Sequence, residues 1–373
     1  MNISFKLPKL LGINIVLPLT LVASAAMADG GSHSTGGSMS GSMSSPAGHA
    51  PIGVMGDHLH KQGEWMFSYR YMHMDMEGNR IGDNEVSPTT IATSIPNRFF
   101  GRPMQPPTLR VVPTKMTMDM HMFGAMYAPA DWITLMAMIN YTAKEMEHIT
   151  FSGPTGTTQR GRFTTSSSGI GDTKLSSLIR LFDRGNHHAH LNFGFSLPTG
   201  STDESDRILT PTGARPTPRL PYAMQLGSGT IDILPGITYS GSSDRLGWGA
   251  QYMGTVRTGS DNGYTWGDKH DLTAWASYTW TNWLSSSARI RYSTMDEIDG
   301  MDPMIVAPVQ TADPNNFGGD RVDLAFGINL IGTKDWYAGH RIAIEGSIPI
   351  EQDLNGPQME TDFVITVGWQ KGF

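Results

Sequence analysis

Apolar and polar side chains alternate with a period of two along most of the chain after Trp65. The alternation is clearest where Ile133, Leu135, Ala137, Ile139 and Tyr141 interleave with Thr134, Met136, Met138, Asn140 and Thr142. Successive side chains of a β-strand point to opposite faces, so this period gives each predicted strand one apolar and one polar face. The pattern predicts an all-β protein.

Twelve alternating segments can be counted. Their approximate ranges are 64–76, 116–128, 131–148, 170–182, 189–198, 229–240, 246–258, 268–280, 283–293, 320–331, 340–350 and 359–373. Long connections follow the odd-numbered segments and brief ones follow the even-numbered segments, which is typical of outer-membrane barrels. The sequence therefore predicts a transmembrane antiparallel up-and-down β-barrel of about 12 strands with periplasmic N- and C-termini.

Tryptophan residues lie beside the termini and the brief connections. They are Trp65, Trp132, Trp248, Trp280, Trp283, Trp336 and Trp369. Indole rings prefer the headgroup layer, so this distribution predicts an aromatic girdle at one membrane interface. A soluble β-sandwich, which would bury the same apolar faces in a dry interior, is the alternative and gives no reason for such a distribution.

The segment Met359 to Phe373 is predicted to be the closing strand of the barrel. Its alternation places Met359 and Thr361 on the lipid side and Glu360 and Asp362 on the lumen side. A terminal Phe after such a strand resembles the signal by which bacterial barrels are recognised for insertion. The barrel-assembly machinery and outer-membrane lipid are therefore expected partners.

The first residues have the pattern of a secretory signal peptide. Lys6 and Lys9 precede the apolar run 10–26, and Ala26-Met27-Ala28 is a small-x-small cleavage site,. We expect residues 1–28 to be a signal peptide and residues 62–373 to be the outer-membrane β-barrel. Residues 29–61, rich in Met, His, Gly and Ser, are expected to form a flexible periplasmic tail, with plugging of the lumen as one role for it.

Composition argues against several classes of function. The chain has no Cys, which excludes cysteine nucleophiles and thiolate sites, and its net charge of −7 is spread without runs, which argues against nucleic acid as a partner,. No phosphate loop, nucleotide fingerprint or zinc-hydrolase helix occurs. We expect no enzymatic activity and no cofactor, and an enzymatic or structural barrel remains a second alternative.

Charged residues of both signs fall on the predicted lumen face. They are Arg70, Lys144, Arg289, Arg291, Arg321, Asp323, Arg341, Glu345, Glu360 and Asp362. Facing residues on neighbouring strands lie about 5 Å apart, so these charges are close enough to pair. The pattern is compatible with a lattice that stiffens the barrel and equally with a selectivity filter.

Methionine is the most over-represented amino acid, with 24 in the chain. The candidate metal ligands are Met72, Met74, Met76, Met116, Met118, Met120, Met122, Met136 and Met138, with His58 and His60 in the tail. Thioethers favour Cu(I) or Ag(I), but Met also makes adaptable apolar linings without metal. The orientation of the second segment is ambiguous, because Phe123, Ala125 and Tyr127 on its other face could equally face lipid.

Three motifs carry a resemblance to a known family. They are Gly169-Ile170-Gly171-Asp172, Ser196-Leu197-Pro198-Thr199-Gly200 and Gln225-Leu226-Gly227-Ser228-Gly229-Thr230. With them the chain resembles the outer-membrane proteins of the meta-pathway phenol-degradation family, which are commonly labelled transporters. The resemblance implies a barrel that passes small organic molecules and carries over no catalytic residues. The Met-rich segments are not part of the family pattern.

Together these features predict a channel of the bacterial outer membrane that passively conducts a small solute such as an aromatic or other small organic compound. The alternative is an outer-membrane barrel that handles copper or silver through its Met and His clusters.

Overall fold

The structure is a computed structural model and describes residues 48–373. The predicted signal peptide and residues 29–47 of the predicted tail lie outside the described residues. The strands are β1 (Trp65–Gly82), β2 (Asn84–Glu85), β3 (Val111–Ala130), β4 (Ile133–Ser152), β5 (Thr158–Ile170), β6 (Thr173–Arg184), β7 (His187–Leu197), β8 (Asp232–Ser243), β9 (Leu246–Arg257), β10 (Tyr264–Thr265), β11 (Lys269–Thr281), β12 (Leu284–Met295), β13 (Asp299–Gly300), β14 (Gly319–Ile331) and β15 (His340–Gly372). A short helix, α1 (Pro88–Ser94), and 3-10 turns at Tyr222–Met224, Gln310–Ala312, Pro314–Asn316 and Asp335–Tyr337 lie between strands.

Eleven strands form one closed antiparallel sheet, in the order β1, β3, β4, β6, β7, β8, β9, β11, β12, β14 and β15, and β15 pairs back to β1. The small strand β2 pairs beside the end of β1. Strand β5 continues the line of β6, since β4 pairs with β6 along its first residues and with β5 along the rest. Closure leaves no free backbone edge around the barrel, as a membrane environment requires.

Strand β15 turns back on itself. It is antiparallel to β14 along Arg341–Leu354 and antiparallel to β1 along Leu354–Gly372. Nine successive antiparallel pairings separate β1 from β14, so these two strands run in opposite directions and β15 must reverse between its two ladders. Gly356, with φ of 65°, lies at the reversal. The barrel wall thus contains twelve passes, as the sequence pattern predicts.

Apolar side chains cover the outside of the barrel. Ile139 is 49% exposed, Phe326 60%, Ile344 47% and Ile348 51%. Their strand neighbours Thr134, Asn329 and Glu345 are buried on the inner face. A soluble sandwich would bury the first set, so the exposed apolar band identifies a transmembrane barrel and confirms the predicted fold class.

Two aromatic belts mark the height of the band. Trp65, Trp132, Trp280 and Trp283 are exposed at the end with the brief turns. Toward the other end, outward-facing Tyr71, Tyr252 and Tyr292 hydrogen-bond to Asp119, His270 and Asp320. Along β11 the two belts lie about ten residues apart, which is the length a tilted strand needs to span a bilayer core,.

The closing strand differs from the sequence prediction in one place. The register with β1 shifts between Asp75–Phe363 and Met76–Thr361, so the alternation changes phase at this point. Met359 and Thr361 are therefore buried inside, whereas Asp362 is exposed on the outer face beside Asp75. A β-bulge of this kind adds one residue to one strand and is invisible to a strict two-residue period.

The long connections pack together at the end opposite the brief turns. Their core contains Phe99, Tyr222, Tyr264, Ile305 and Phe317, all buried. The rings of Tyr222 and Tyr264 meet edge to face, with centroids 4.7 Å apart. These connections form a folded cap over the barrel. No helix within residues 48–373 is long and apolar enough to cross a membrane.

Candidate functional site

One part of the barrel interior is a wall of methionine side chains. Across β1 and β3, Met66 faces Met126, Met72 faces Met120, Met74 faces Met118 and Met76 faces Met116. Across β3 and β4, Met126 faces Met136 and Met116 faces Met146. Directly opposed side chains on neighbouring strands have Cβ atoms about 5 Å apart, so the thioethers form contiguous rungs. We call this surface the methionine wall.

The structure decides the orientation of β3, which the sequence leaves ambiguous. Met116, Met122 and Met126 are at most 8% exposed, whereas Phe123 on the opposite face is 56% exposed. The methionine face of β3 therefore points into the lumen. All nine methionines proposed as metal ligands share the inner face of β1, β3 and β4, so the structure brings this part of the predicted set together.

The opposite part of the interior carries paired charges. Arg289 Nη2 lies 2.5 Å from Glu345 Oε1, and both side chains are at most 7% exposed. The pair reaches across β14, where Ala325 and Gly327 leave room for it. Arg291 and Arg321 both contact Asp323. Buried charges must be paired, and these are.

The remaining predicted lumen charges have other partners. Arg341 donates to Asn329, Gln370 and the carbonyl oxygen of Ala50, and Lys144 donates to the carbonyl oxygens of Ala223 and Gln225. Arg70 is the exception: it is 7% exposed, and its Nε atom has no hydrogen-bond partner among the described residues. Glu360 pairs with Arg80 at 2.7 Å, near the outer end of β1. Glu360 and Asp362 are not lumen residues. Glu360 lies between the inward-facing Met359 and Thr361 and therefore faces outward, and the bulge described above places Asp362 on the outer face.

The chain before β1 runs through the barrel at the end with the brief turns. His60 N donates to Thr134 Oγ1 on β4 (3.0 Å), and His190 Nε2 on β7 donates to the carbonyl oxygen of Gly56 (2.9 Å). Gln251 on β9 donates to the carbonyl oxygen of Met55 (2.9 Å). We call residues 48–60 the plug segment, since these contacts tie it to the inner faces of separate strands.

The plug segment also contacts the charged side of the lumen. Ala50 and Val54 pack on Trp275 of β11. A Cβ atom at Gly53 would lie 2.6 Å from Arg289 Nη2 and closer still to Glu345 Oε1, so a larger residue here would have to displace this ion pair or the segment itself. The segment therefore crosses the lumen from β4 to β15, and it forms part of the lining of a cavity of about 550 Å³ above it.

A second cavity of about 200 Å³ lies under the outer cap. Its lining is mainly apolar and includes Val111, Ile208, Leu220 and Val306. The rings of His148 and Phe163 form part of this lining and stack at 4.6 Å with 6° between their planes. A small apolar site with aromatic walls is typical of a binding pocket for an apolar ligand.

The cap cavity is continuous with the methionine wall. Leu220 and Ile208 line the cavity and also pack in a cluster with Met116, Met146 and Met359. Met136 and Met138, further along the wall, line the lumen cavity above the plug segment. Along β3, Met116, Met118, Met120 and Met122 therefore lead from the cap toward the plug segment. On β4 the polar Thr142 and Asn140 lie opposite Met120 and Met122.

The three motifs behind the family resemblance meet at one point. Asp172 accepts hydrogen bonds from Gly200 N (3.0 Å) and Ser228 N (2.8 Å). Thr199 Oγ1 donates to the carbonyl oxygen of Gly171. This point lies at the break between β5 and β6, where the connection after β7 packs into the barrel wall. The motifs thus fix local structure, and Asp172, Ser196 and Gln225 also line the lumen cavity.

Histidines of the plug segment form a buried cluster with Asp57. One ligand atom from each of His49, Asp57 and His58 lies within 4.8 Å of the others. The His60 ring is 4.9 Å from that of His58. Burial, and next the charge of Arg341, lower the pKa of His49 well below 6.5, and burial lowers the pKa of His60 to about 3. These imidazoles are therefore neutral at physiological pH.

Sequence reasoning placed His58 and His60 with the methionines as one candidate set, and the structure separates them. The two histidines lie in the plug segment, bonded to β4 and to Asp57, whereas the methionines line the wall above. It also missed Asp57 and the cap cavity. An isolated aspartate in a Gly- and Met-rich stretch carries no periodic signal, and the cavity is assembled from several distant loops.

Known proteins resemble this chain in their fold and not in their sequence. No protein-family model and no curated protein matches the chain. The crystal structure of an outer membrane channel from Pseudomonas putida F1 is similar to it, with a TM-score of 0.55, 11% identity, and coverage of 86% of this chain and 99% of that chain. The toluene transporter TbuX of Ralstonia pickettii gives a TM-score of 0.45 at 12% identity over 89% and 93% of the two chains. For TodX, the Pseudomonas putida toluene transporter, the TM-score is 0.39 at 10% identity over 88% and 92%. This protein therefore has the fold of a bacterial outer-membrane channel.

Proposed function

We propose that this protein is a channel of the bacterial outer membrane through which small apolar solutes, with aromatic compounds as the favoured class, diffuse passively. The observation that carries the proposal is the row of thioether side chains that leads from the cap cavity along the methionine wall toward the plug segment. A solute that leaves water at the cap would travel beside thioether side chains, while the paired charges opposite hold the barrel in shape.

Methionine suits this task better than a branched aliphatic side chain. Its thioether is polarizable and its three rotatable bonds let it adapt to rings of different shape, and sulfur–aromatic contacts contribute about 0.3–1.5 kcal/mol each. Several such weak contacts in series bind a solute loosely enough to release it again, which passive conduction requires. No energy-coupling site is needed for such a function.

The resemblance to the meta-pathway phenol-degradation family supports the same conclusion. Its three motif segments converge around Asp172, and the Pseudomonas putida protein with a similar fold is itself an outer membrane channel. Membership of that family is part of the proposal. The proposed role is transport, with no catalytic step.

Polar substitutions in the methionine wall are expected to slow the entry of phenol. A variant with Met72, Met74, Met118 and Met120 changed to Gln places amides that need hydrogen bonds along the apolar route, and we expect phenol uptake to fall several-fold. The matched Met→Leu variant keeps an apolar wall of similar volume and should retain uptake within about twofold. Uptake is measured with radiolabelled phenol in cells that express this protein as their main outer-membrane channel.

Ion conductance in planar bilayers checks that each variant still forms a channel. If phenol uptake matches that of cells without the protein, or if the Gln and Leu variants take up phenol equally well, the proposed route along the methionine wall is wrong.

Binding of Cu(I) or Ag(I) by the methionine wall is the second candidate function. It is favoured by the directly opposed thioethers of β1 and β3, which could converge on one soft cation,. Titration with Ag(I) is expected to show a site that is lost when Met72, Met74, Met118, Met120, Met136 and Met138 are all changed to Leu. Equal Ag(I) affinity in wild type and this variant would remove the methionine wall as a metal site.

A further inference from the structure

We propose that the plug segment binds a divalent transition-metal cation of the Zn²⁺ or Cu²⁺ class through His49, Asp57 and His58, and that the bound ion holds the segment in the lumen. The site lies at the end of the barrel with the brief turns and shares no residue with the methionine wall. The proposed effect of the ion on the lumen rests on the proposed channel function, whereas the proposed binding of the ion does not.

The geometry brings three ligands to one place. Ala50 N donates to Asp57 Oδ2 at 3.0 Å and thereby closes residues 50–57 into a loop that brings His49 beside His58. The two imidazole rings are 5.2 Å apart between centroids. Ligand atoms around a tetrahedral Zn²⁺ are separated by about 3.4 Å, given metal–ligand bonds of about 2.1 Å. Small side-chain rotations from the observed separations, all within 4.8 Å, reach this spacing.

Buried nitrogen atoms in the cluster provide a second, independent observation. His49 Nδ1, His58 Nε2 and His60 Nε2 are buried and have no hydrogen-bond partner among the described residues. Buried imidazole nitrogens are normally satisfied, because an unpaired buried polar atom costs about 1–3 kcal/mol. Several of them in one loop need a common explanation, and a metal ion supplies one. His60 lies next to His58 and is available as a further ligand.

Asp57 orients the cluster and supplies its negative charge. Its Oδ1 lies 2.9 Å from His58 Nδ1, so a carboxylate oxygen and an imidazole nitrogen already lie side by side, close to the spacing of two ligand atoms around one ion,. Burial alone would raise the pKa of Asp57, but His58, His49 and Arg341 hold it well below its usual value. The cationic Arg341 and Arg70 face the same region, so a cation is tolerated here only with the Asp57 carboxylate present.

The donor set selects the class of metal. Neutral imidazole with one carboxylate suits Zn²⁺, Cu²⁺ and neighbouring divalent ions, whereas thioethers select Cu(I) or Ag(I). The ion would join His49, at the start of the plug segment, to Asp57 and His58 near its end. Such a cross-link closes a loop that is otherwise held by hydrogen bonds, and it favours the conformation seated in the lumen.

Binding is tested on the full-length protein in detergent by calorimetric titration with Zn²⁺, in a His33→Ala background that removes the histidine lying before the plug segment. We expect one saturable site per chain. His49→Ala and His58→Ala should each weaken binding by about tenfold to a hundredfold, and Asp57→Asn at least as much, because it also removes the compensating charge. A matched control, His187→Ala with His188→Ala, removes two histidines at an accessible turn and should leave the affinity unchanged.

The shift in gel mobility on heating verifies that each variant is a folded barrel. X-ray absorption at the zinc edge gives a readout that folding does not affect, and we expect nitrogen and oxygen ligands without sulfur. If Zn²⁺ and Cu²⁺ show no saturable binding, or if the His49 and His58 variants bind as tightly as wild type, the site does not exist.

The effect on the lumen is measured as conductance in planar bilayers. Zn²⁺ is expected to lower the conductance of the wild type, a chelator should restore it, and His49→Ala should show neither response. If the wild type conducts ions and takes up phenol but Zn²⁺ binding leaves conductance unchanged, the bound ion does not hold the plug segment in the lumen. The proposed channel function is unaffected by that result. If the protein binds Zn²⁺ but neither conducts ions nor passes phenol, the channel function fails while the metal site stands.

Discussion

Deletion of residues 48–60 is expected to raise the single-channel conductance several-fold. These residues run through the lumen between β4 and β15 and are anchored by Thr134, His190 and Gln251, so their removal opens the part of the lumen that they occupy. A barrel of this strand number lies between small barrels filled by side chains and large ones with an open channel, so a segment of this size decides whether water can pass. The measurement is conductance in planar lipid bilayers.

Two further variants make this test specific. Deletion of residues 29–47 alone leaves the plug segment in place and should change conductance little. Gly53→Val keeps the chain length but forces a side chain against Arg289 and Glu345, so it should displace the segment and raise conductance toward that of the deletion. If the deletion variant conducts no better than wild type, the plug segment does not limit the pore.

Arg289→Met is expected to destabilise the barrel by about 3–5 kcal/mol, because it leaves the buried carboxylate of Glu345 without its partner,. The exposure of Glu345 is only 2%, so water cannot replace the guanidinium without local opening of the structure. Urea-induced unfolding of the protein in lipid vesicles measures the change in the free energy of unfolding.

The double variant Arg289→Met with Glu345→Leu removes both charges and should recover most of the lost stability, since an apolar pair can fill the same space. An exposed pair is the matched control. Arg98, 40% exposed, contacts Asp313 at 2.9 Å, and Arg98→Met should cost no more than about 1 kcal/mol,. Equal losses for Arg289→Met and Arg98→Met would show that the lumen pair is hydrated and does not brace the barrel.

Much of the barrel could be predicted because its signal is local. The two-residue period assigns each side chain of β4, β14 and the first half of β15 to lipid or lumen, and burial of Thr134 beside exposed Leu135 confirms it. The same period placed Met72 and Met136 inside. The prediction from this period is wrong at Asp362. A single bulge exchanges the lipid and lumen faces for all residues on one side of it, and the local sequence shows no sign of the bulge,.

The site depended on contacts between residues far apart in the chain. Arg289 and Glu345 lie on β12 and β15, and they meet because β14 offers only Ala325 and Gly327 between them. Arg341 lies almost three hundred residues from Ala50, whose carbonyl oxygen it binds. No pattern in the segment around His49 and Asp57 predicts that it enters a lumen, because its amino acids are those of an unstructured tail.

The sequence by itself determined that this chain closes into a barrel, apolar outside and polar or thioether-lined within, because strand periodicity and girdle aromatics are properties of short segments. Only the tertiary structure decided what fills the barrel. Chain segments that meet only after the barrel has closed create four features of its interior. These are the position of the plug segment, the pairing of lumen charges, the cavity under the cap and the cluster of His49, Asp57 and His58.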